Sequence, residues 1–342
     1  MISNKKRLSR RTTIKFMAGL AGGLLVHSVT PSIAQSSPMK MTLGGVTWIG
    51  LTPFYIAQEK GFFVENGLDV NLQIFGANTD YISAFLANRI DGVISSVTSE
   101  TVLMADKGKE FKVVMVQDNS QGGDGILARN SVTDIANFKG KKVAVEQGAV
   151  SHFFLLQVLK QAGLTDKDIT IINADAATAA AAYQAGNVDI ASSYAPFLTQ
   201  ANSAQPDGRI IYDSSKMPSA ISDFYSFSSE YIEANPEAVE VFIAGIAKAL
   251  SFIETNREEA IAIAAAKLEV TPEALNADLA GIGLPGVETN IEMLTDVNSD
   301  LYILNSLNAM GNFLVSQGQI KTVPDLATLI EPKFIQSFQA NN

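Results

Sequence analysis

Short apolar strand patterns and amphipathic helix patterns alternate along the chain from Met41 onward, which restricts the fold to an α/β architecture with a parallel or mixed sheet flanked by helices. Met41 to Trp48 reads as a strand, followed by a helix over Pro53 to Lys60 that Gly61 stops. Leu68, Val70, Leu72 and Ile74 share one face of a half-buried strand ending at Phe75. A helix over Asp80 to Ala87, a strand over Gly92 to Ser95, a helix over Glu100 to Lys107 and an apolar strand over Lys112 to Gln117 complete a first lobe.

Beyond Gly122-Gly123-Asp124-Gly125 a second series begins, with strands over Ile126 to Arg129, Lys142 to Glu146, Ile169 to Asn173, Asp189 to Ser192 and Arg209 to Tyr212. Helices over Ser151 to Ala162, Ala176 to Ala185 and Pro196 to Ala201 lie between them. Phe224 to Ser228 alternates once more, and the remainder is helix-rich, opened by Asn235 as N-cap and Pro236 at the first helical position. Val239, Phe242, Ile243, Ile246, Leu250 and Ile253 form a core-facing stripe there. The pattern predicts two lobes, 38–125 plus 224–342 and 126–223, joined by two hinge crossings near Gly122 to Ala128 and Ser219 to Phe224. Such lobes enclose a cleft that closes on cargo.

The first 34 residues contain no acidic side chain. Ser9, Arg10, Arg11 and Lys15 form a twin-arginine segment, Phe16 to Val29 is an apolar run too short to span a bilayer, and Ser32-Ile33-Ala34 is a small-x-small site. These features predict an export signal cleaved after Ala34 and a periplasmic mature protein without direct membrane insertion. Six of the 25 basic residues lie in the signal and none of the 35 acidic ones do, so cleavage takes the formal charge from −10 to −10 − 6 = −16. That charge repels nucleic acid and anionic lipid. Cysteine is absent, and His152 is the single histidine beyond the signal. Disulfides, thiolate metal sites, a cysteine nucleophile and a histidine metal cluster are therefore excluded, and no catalytic residue, metal or cofactor is expected.

Several motifs recur in a fixed order: Trp48-x-x-Leu51-x-Pro53-x-Tyr55-x-Ala57, Glu59-Lys60-Gly61-Phe62-Phe63, Gly67-Leu68-x-Val70, and Asp118-x-Ser120-x-Gly122-x-Asp124-Gly125. Lys139-Gly140-Lys141-Lys142-Val143-Ala144-Val145, Gln147-Gly148 with Ser151-His152, Val188-Asp189 with Tyr194-x-Pro196, and Asn235-Pro236-Glu237 follow. In this order they resemble the periplasmic substrate-binding proteins of ABC importers in the nitrate, sulfonate and taurine group, related to thiamine-pyrimidine-binding proteins. The resemblance covers about Lys40 to Phe338. It implies a type II two-lobed periplasmic binding protein fold, with the helical C-terminal segment packed on the first lobe. It also implies a small polar ligand delivered to a membrane permease of an ABC importer. Where the family commonly carries Trp before x-Pro, this chain has Tyr194, which keeps a flat wall and adds a hydroxyl.

Ligands in such folds sit outside the carboxyl ends of the strands, which nominates the loops that follow them. Trp48, Thr52 and Tyr55 offer an aromatic wall with a hydroxyl, although Trp48 serves equally as a buried anchor. Asn78 to Tyr81 opens the next helix, with Asp80 as binding residue or N-cap. Ser95, Ser96, Thr98 and Ser99 stand at a helix start, where hydroxyls and free amides suit an anionic group or simple capping. Asp118, Ser120 and Asp124 lead into the first crossing and Asp223 ends the second, as acceptors for an amine or as turn residues. Gln147, Ser151 and His152 face the cleft from the second lobe, His152 partly protonated near neutral pH, and Tyr194 stacks on cargo or fills core.

The nominated loops contain Asp80, Glu100, Asp118, Asp124, Glu146 and Asp223 but no Lys or Arg apart from the flanking Arg129. A sulfonate or taurine-like ligand follows from the resemblance, while this charge balance favours a small zwitterion or amine. The rivals are an enzyme similar to thiamine-pyrimidine synthases and a periplasmic sensor subunit. The resemblance to the synthases implies a cofactor-bearing lysine, a histidine and a cysteine-rich motif, and this chain has no cysteine to supply the last.

Overall fold

The computed structural model describes residues 38–217 and 220–340. The export signal expected at 1–34 lies outside the described residues, as do Pro218 and Ser219 of the second crossing.

The first series runs β1 (Met39–Val46), α1 (Thr52–Glu59), β2 (Leu68–Phe75), α2 (Asn78–Leu86), β3 (Gly92–Val97), α3 (Thr98–Asp106) and β4 (Phe111–Ser120). The second runs β5 (Asp124–Arg129), β6 (Lys142–Val145), α4 (Val150–Gln161), β7 (Thr170–Asn173), α5 (Ala176–Gln184), β8 (Ile190–Tyr194), α6 (Phe197–Ala204) and β9 (Gly208–Asp213). The chain then returns through β10 (Ser222–Ser228), α7 (Ser229–Ala234), α8 (Pro236–Thr255), α9 (Arg257–Leu268) and α10 (Pro272–Asp278). It finishes with β11 (Ile282–Gly283), α11 (Val287–Thr295), α12 (Ile303–Ser316) and α13 (Lys333–Ala340).

Two sheets result, one in the order β11-β4-β10-β3-β1-β2 and the other β7-β6-β8-β5-β9. Within each, the strands joined by helices pair in parallel, as crossover connections require. Each sheet also takes in one strand by a hinge crossing: β10 enters antiparallel between β3 and β4, and β5 antiparallel between β8 and β9. Strand position explains strand sequence. Edge strand β2 alternates buried Leu68 and Val70 with exposed Asp69 and Asn71, whereas interior β3 is buried along its whole length.

The division between lobes falls slightly earlier than the partition at 125/126 and 223/224. Asp124 and Gly125 pair with Tyr194 and Ser193 in the second sheet, and Ser222 and Asp223 pair with Asn119 and Asp118 in the first. Polar residues begin both strands, so the apolar pattern starts too late to mark them. The backbone just before β11 clasps the first crossing as well, with Gly281 O accepting from Gln121 N at 2.8 Å and Gly123 N at 3.0 Å.

The helical C-terminal segment packs on the first lobe. α8 lies against α1, α13 against α8, and α12 against α3. Phe242 stacks on Phe63 with ring centres 5.3 Å apart, and Gly245 permits the approach because a Cβ there would stand 2.5 Å from the Phe63 ring. Five of the six predicted stripe residues of α8 are buried and Leu250 packs partly against the core. Asn235 holds the N-cap position, but its side chain donates to Tyr231 O instead of capping α8. Asp80 is likewise no N-cap; it sits exposed in the first turn of α2, whose cap is Ala77. Among the described residues no helix is long and apolar enough to cross a membrane.

Candidate functional site

The strand ends of both lobes meet around one small cavity, lined by Val46, Trp48, Asn78, Ser95, Val97 and Asp223 from the first lobe and Asp124, Val150 and Tyr194 from the second. The centre of a water molecule has about 10 Å³ in which to sit there, so the lobes are closed. Trp48 and Tyr194 meet edge to face across the gap, ring centres 5.8 Å apart.

A network belonging to the first lobe holds one wall. Trp48 Nε1 donates to Asp118 Oδ2 at 3.0 Å, and Gln117 Nε2 donates to the same oxygen at 3.2 Å. Gln117 Oε1 accepts from Ser95 N at 2.9 Å, bracing Ser95 at φ 61, a left-handed conformation uncommon for a residue with a Cβ. Gly50 makes room for this: a Cβ there would stand 1.8 Å from Asp118 Oδ2 and 2.3 Å from Trp48 Nε1. Beside it, Glu100 accepts from Tyr81 OH and, at 2.8 Å, from Asn78 Nδ2.

The second lobe reaches across to the start of α2. Tyr194 OH donates to Asn78 Oδ1 at 3.0 Å. Glu146, just after β6, accepts from Thr79 N at 3.0 Å and Thr79 Oγ1 at 3.3 Å, placing a carboxylate at a helix N-terminus where the dipole favours it.

Burial dominates the electrostatics. It pushes Glu100, Asp118 and Asp124 up to about 7 and Glu146 up from its ordinary value, against the hydrogen bonds that Glu100, Asp118 and Glu146 accept from Tyr81, Trp48 and Thr79 respectively. Asp223 is raised well above the usual carboxylate range, by burial and then by the neighbouring charge of Asp118. No Lys, Arg or His lines the cavity. Among the described residues no three His, Cys, Asp or Glu side chains are grouped to hold a metal ion.

Of the nominated residues, Trp48, Asn78, Ser95, Asp124, Tyr194 and Asp223 line the cavity, and Asp118 stands directly behind Trp48. Thr52 turns its hydroxyl back to Ile49 O at 2.7 Å, and Tyr55 is buried beside Phe54. Ser96 pairs with Thr101 at 3.0 Å, and Thr98 bonds the backbone of Ser222. Ser120 works in the hinge, its hydroxyl 2.7 Å from that of Ser214 and accepting from Asp124 N at 3.1 Å. Gln147 is exposed, held by its backbone N–H to Asn173. Ser99 Oγ, Ser151 Oγ and His152 Nε2 are buried without a partner. His152 Nδ1 accepts from Gly148 N, which leaves its proton on Nε2, and burial lowers its pKa, so it is neutral near pH 7 and not partly protonated as its exposed counterpart would be. Sequence reasoning passed over Val46, Val97 and Val150, which carry no polar signal; Asn78 opens α2 and Ser95 lies within β3.

A profile of the family described as NMT1/THI5 like matches residues 48–260, more than half of the chain. The chain belongs to that family. A protein of Escherichia coli named as aliphatic sulfonates-binding is 29% identical over 248 residues, covering 71% of this chain and 76% of that one. The crystal structure of the periplasmic aliphatic sulphonate binding protein SsuA from Escherichia coli superposes with a TM-score of 0.69 at 21% identity, covering 88% of this chain and 100% of that one. The desulfurization enzyme DszB shares the fold too, with a TM-score of 0.65 at 14% identity over 89% of this chain and 99% of that one. The chain shares the fold of that binding protein.

Proposed function

We propose that this chain is an extracytoplasmic solute-binding protein that closes its two lobes on a small amine-bearing molecule, zwitterion or amine, and delivers it to the permease of an ABC importer. The carrying observation is the cavity's polar lining, which is acidic or neutral on both lobes with no cation beside it. A bare sulfonate or nitrate would meet uncompensated carboxyls there, whereas an ammonium group would find acceptors.

Trp48 and Tyr194 supply aromatic walls, Asp124 and Asp223 the lining acceptors with Asp118 behind Trp48, and Asn78 with Glu146 the interlobe latch. Ser151 and His152, with unsatisfied donors at the start of α4, suit the anionic end of a zwitterion. The twin-arginine segment and the small-x-small site at Ala34 support export to the periplasm with signal cleavage. DszB shows that the fold also serves catalysis; a chain without cysteine and with a cavity free of His and Lys supports binding alone.

Thermal shift of the mature chain against taurine, alkanesulfonates, nitrate, small amines and amino acids tests this. A cargo at 100 times its dissociation constant adds about 2.7 kcal/mol and moves the melting point by several degrees. Stabilisation by amine-free anions alone would reverse the reading.

A further inference from the structure

We propose that the cross-strand carboxyl pair Asp118–Asp223 is the seat of the ligand's ammonium group, which enters in exchange for the proton that the pair holds when empty. This rests on the amine-bearing cargo argued above and adds where the cation sits and what it displaces.

Asp223 of β10 is the antiparallel partner of Asp118 of β4, which sets their Cβ atoms about 5 Å apart. The two carboxyls lie within hydrogen-bonding reach of each other. Two carboxylates cannot bond unless one keeps a proton, so the empty pair holds one. Asp118 Oδ2 receives Trp48 and Gln117, but Oδ1, fully enclosed, receives no N–H or hydroxyl donor. Tyr225 provides a second, independent sign: its hydroxyl, also fully buried, has no partner and lies in the field of Asp118 and Asp223.

The other groups acting on the pair are Asp124 from β5 and Glu100 from α3, both acidic. An ammonium group brings three donors to these acceptors and one positive charge to a cluster that would otherwise have to stay protonated. Trading proton for cation leaves the net charge of the enclosed cluster unchanged, which is what a closed, low-dielectric cavity favours. The rings of Trp48 and Tyr194 stand beside the seat, and Val46, Val97 and Val150 suit the ligand's carbon body.

Calorimetric titration of the full chain with propylammonium, β-alanine and taurine, each in two buffers of different ionisation enthalpy near pH 7, reads binding and proton release together. Propane-1-sulfonate is the ammonium-free control. The expected result is binding of an ammonium compound with about one proton released per molecule, and affinity rising up to about tenfold per pH unit below the pair's titration. Asp223→Asn should bind more weakly and with that release abolished. Ammonium binding without proton release overturns the exchange while the amine-bearing cargo stands; binding of propane-1-sulfonate alone overturns both. Independently of any ligand, the infrared protonated-carboxyl band of the empty protein near pH 7 should lose intensity in Asp223→Asn beyond what Glu100 and Asp124 contribute to both, and an unchanged band overturns the exchange.

Discussion

The two walls of the cavity differ in where their hydrogen-bond partners live. On the first lobe, Trp48, Asp118, Gln117 and Ser95 bond one another, and Glu100 bonds Tyr81 and Asn78, all within that lobe. On the second, Tyr194 and Glu146 find their partners, Asn78 and Thr79, only across the gap. The first wall keeps its shape whether the lobes are apart or together, while the contacts of the second exist only on closure. Changes to the first wall should therefore cost fold stability, and changes to the second should shift the balance between open and closed.

The largest expected effect comes from pH. Glu100 and Asp118 of the first wall and Asp124 beside them stand near 7 in the folded chain against about 4 when unfolded. The stability they contribute is fully present below the unfolded value and is lost as pH rises through about 7, so the melting point of the ligand-free protein should fall between about pH 5 and about pH 8. Glu100→Gln should flatten that slope; a slope that stays the same would detach the effect from this wall.

Gly50→Ala comes next. Its Cβ would sit on Asp118 Oδ2 and Trp48 Nε1, breaking their bond and overpacking the wall, for a loss of about 3 kcal/mol. Trp48 is the one tryptophan of the chain, so its emission reports the same event and should shift to the red along with the fall in melting point.

Smaller effects belong to the second wall. Glu146→Gln removes a charge-assisted bond at the start of α2 and should cost closure about 1 to 2 kcal/mol, read as a larger radius of gyration by X-ray scattering with the melting point nearly unchanged. Tyr194→Phe keeps the ring but loses the bond to Asn78, about 1 kcal/mol, and should lower the closed-to-open ratio roughly fivefold in an interlobe distance measurement. If these two variants lowered the melting point as much as Gly50→Ala, the contrast between the walls would fail.

Element types were legible in the sequence because each helix or strand advertises its buried face through its period, as β2 and α8 do. Boundaries were less so where polar residues start a strand: Asp124, Ser222 and Asp223 pair in sheets although nothing apolar announces them. The nominated loops already held the acids without counter-charges, and Trp48, Tyr194 and Asp223 do line the cavity. The hydroxyls of Thr52, Ser96 and Thr98 all turn to neighbours in their own lobe, a choice made by local hydrogen-bond geometry that composition does not carry.

By itself the sequence determined the α/β class, the two crossings, the cysteine-free chemistry and the acidic balance of the site, since these depend on periodicity and residue type. The tertiary structure decided that Asp118 and Asp223 stand opposite each other, that Glu146 caps α2 from the other lobe and that His152 is neutral. Those outcomes depend on strand register and burial, which bring together residues far apart in the chain, such as Glu146 and Thr79, 67 positions apart.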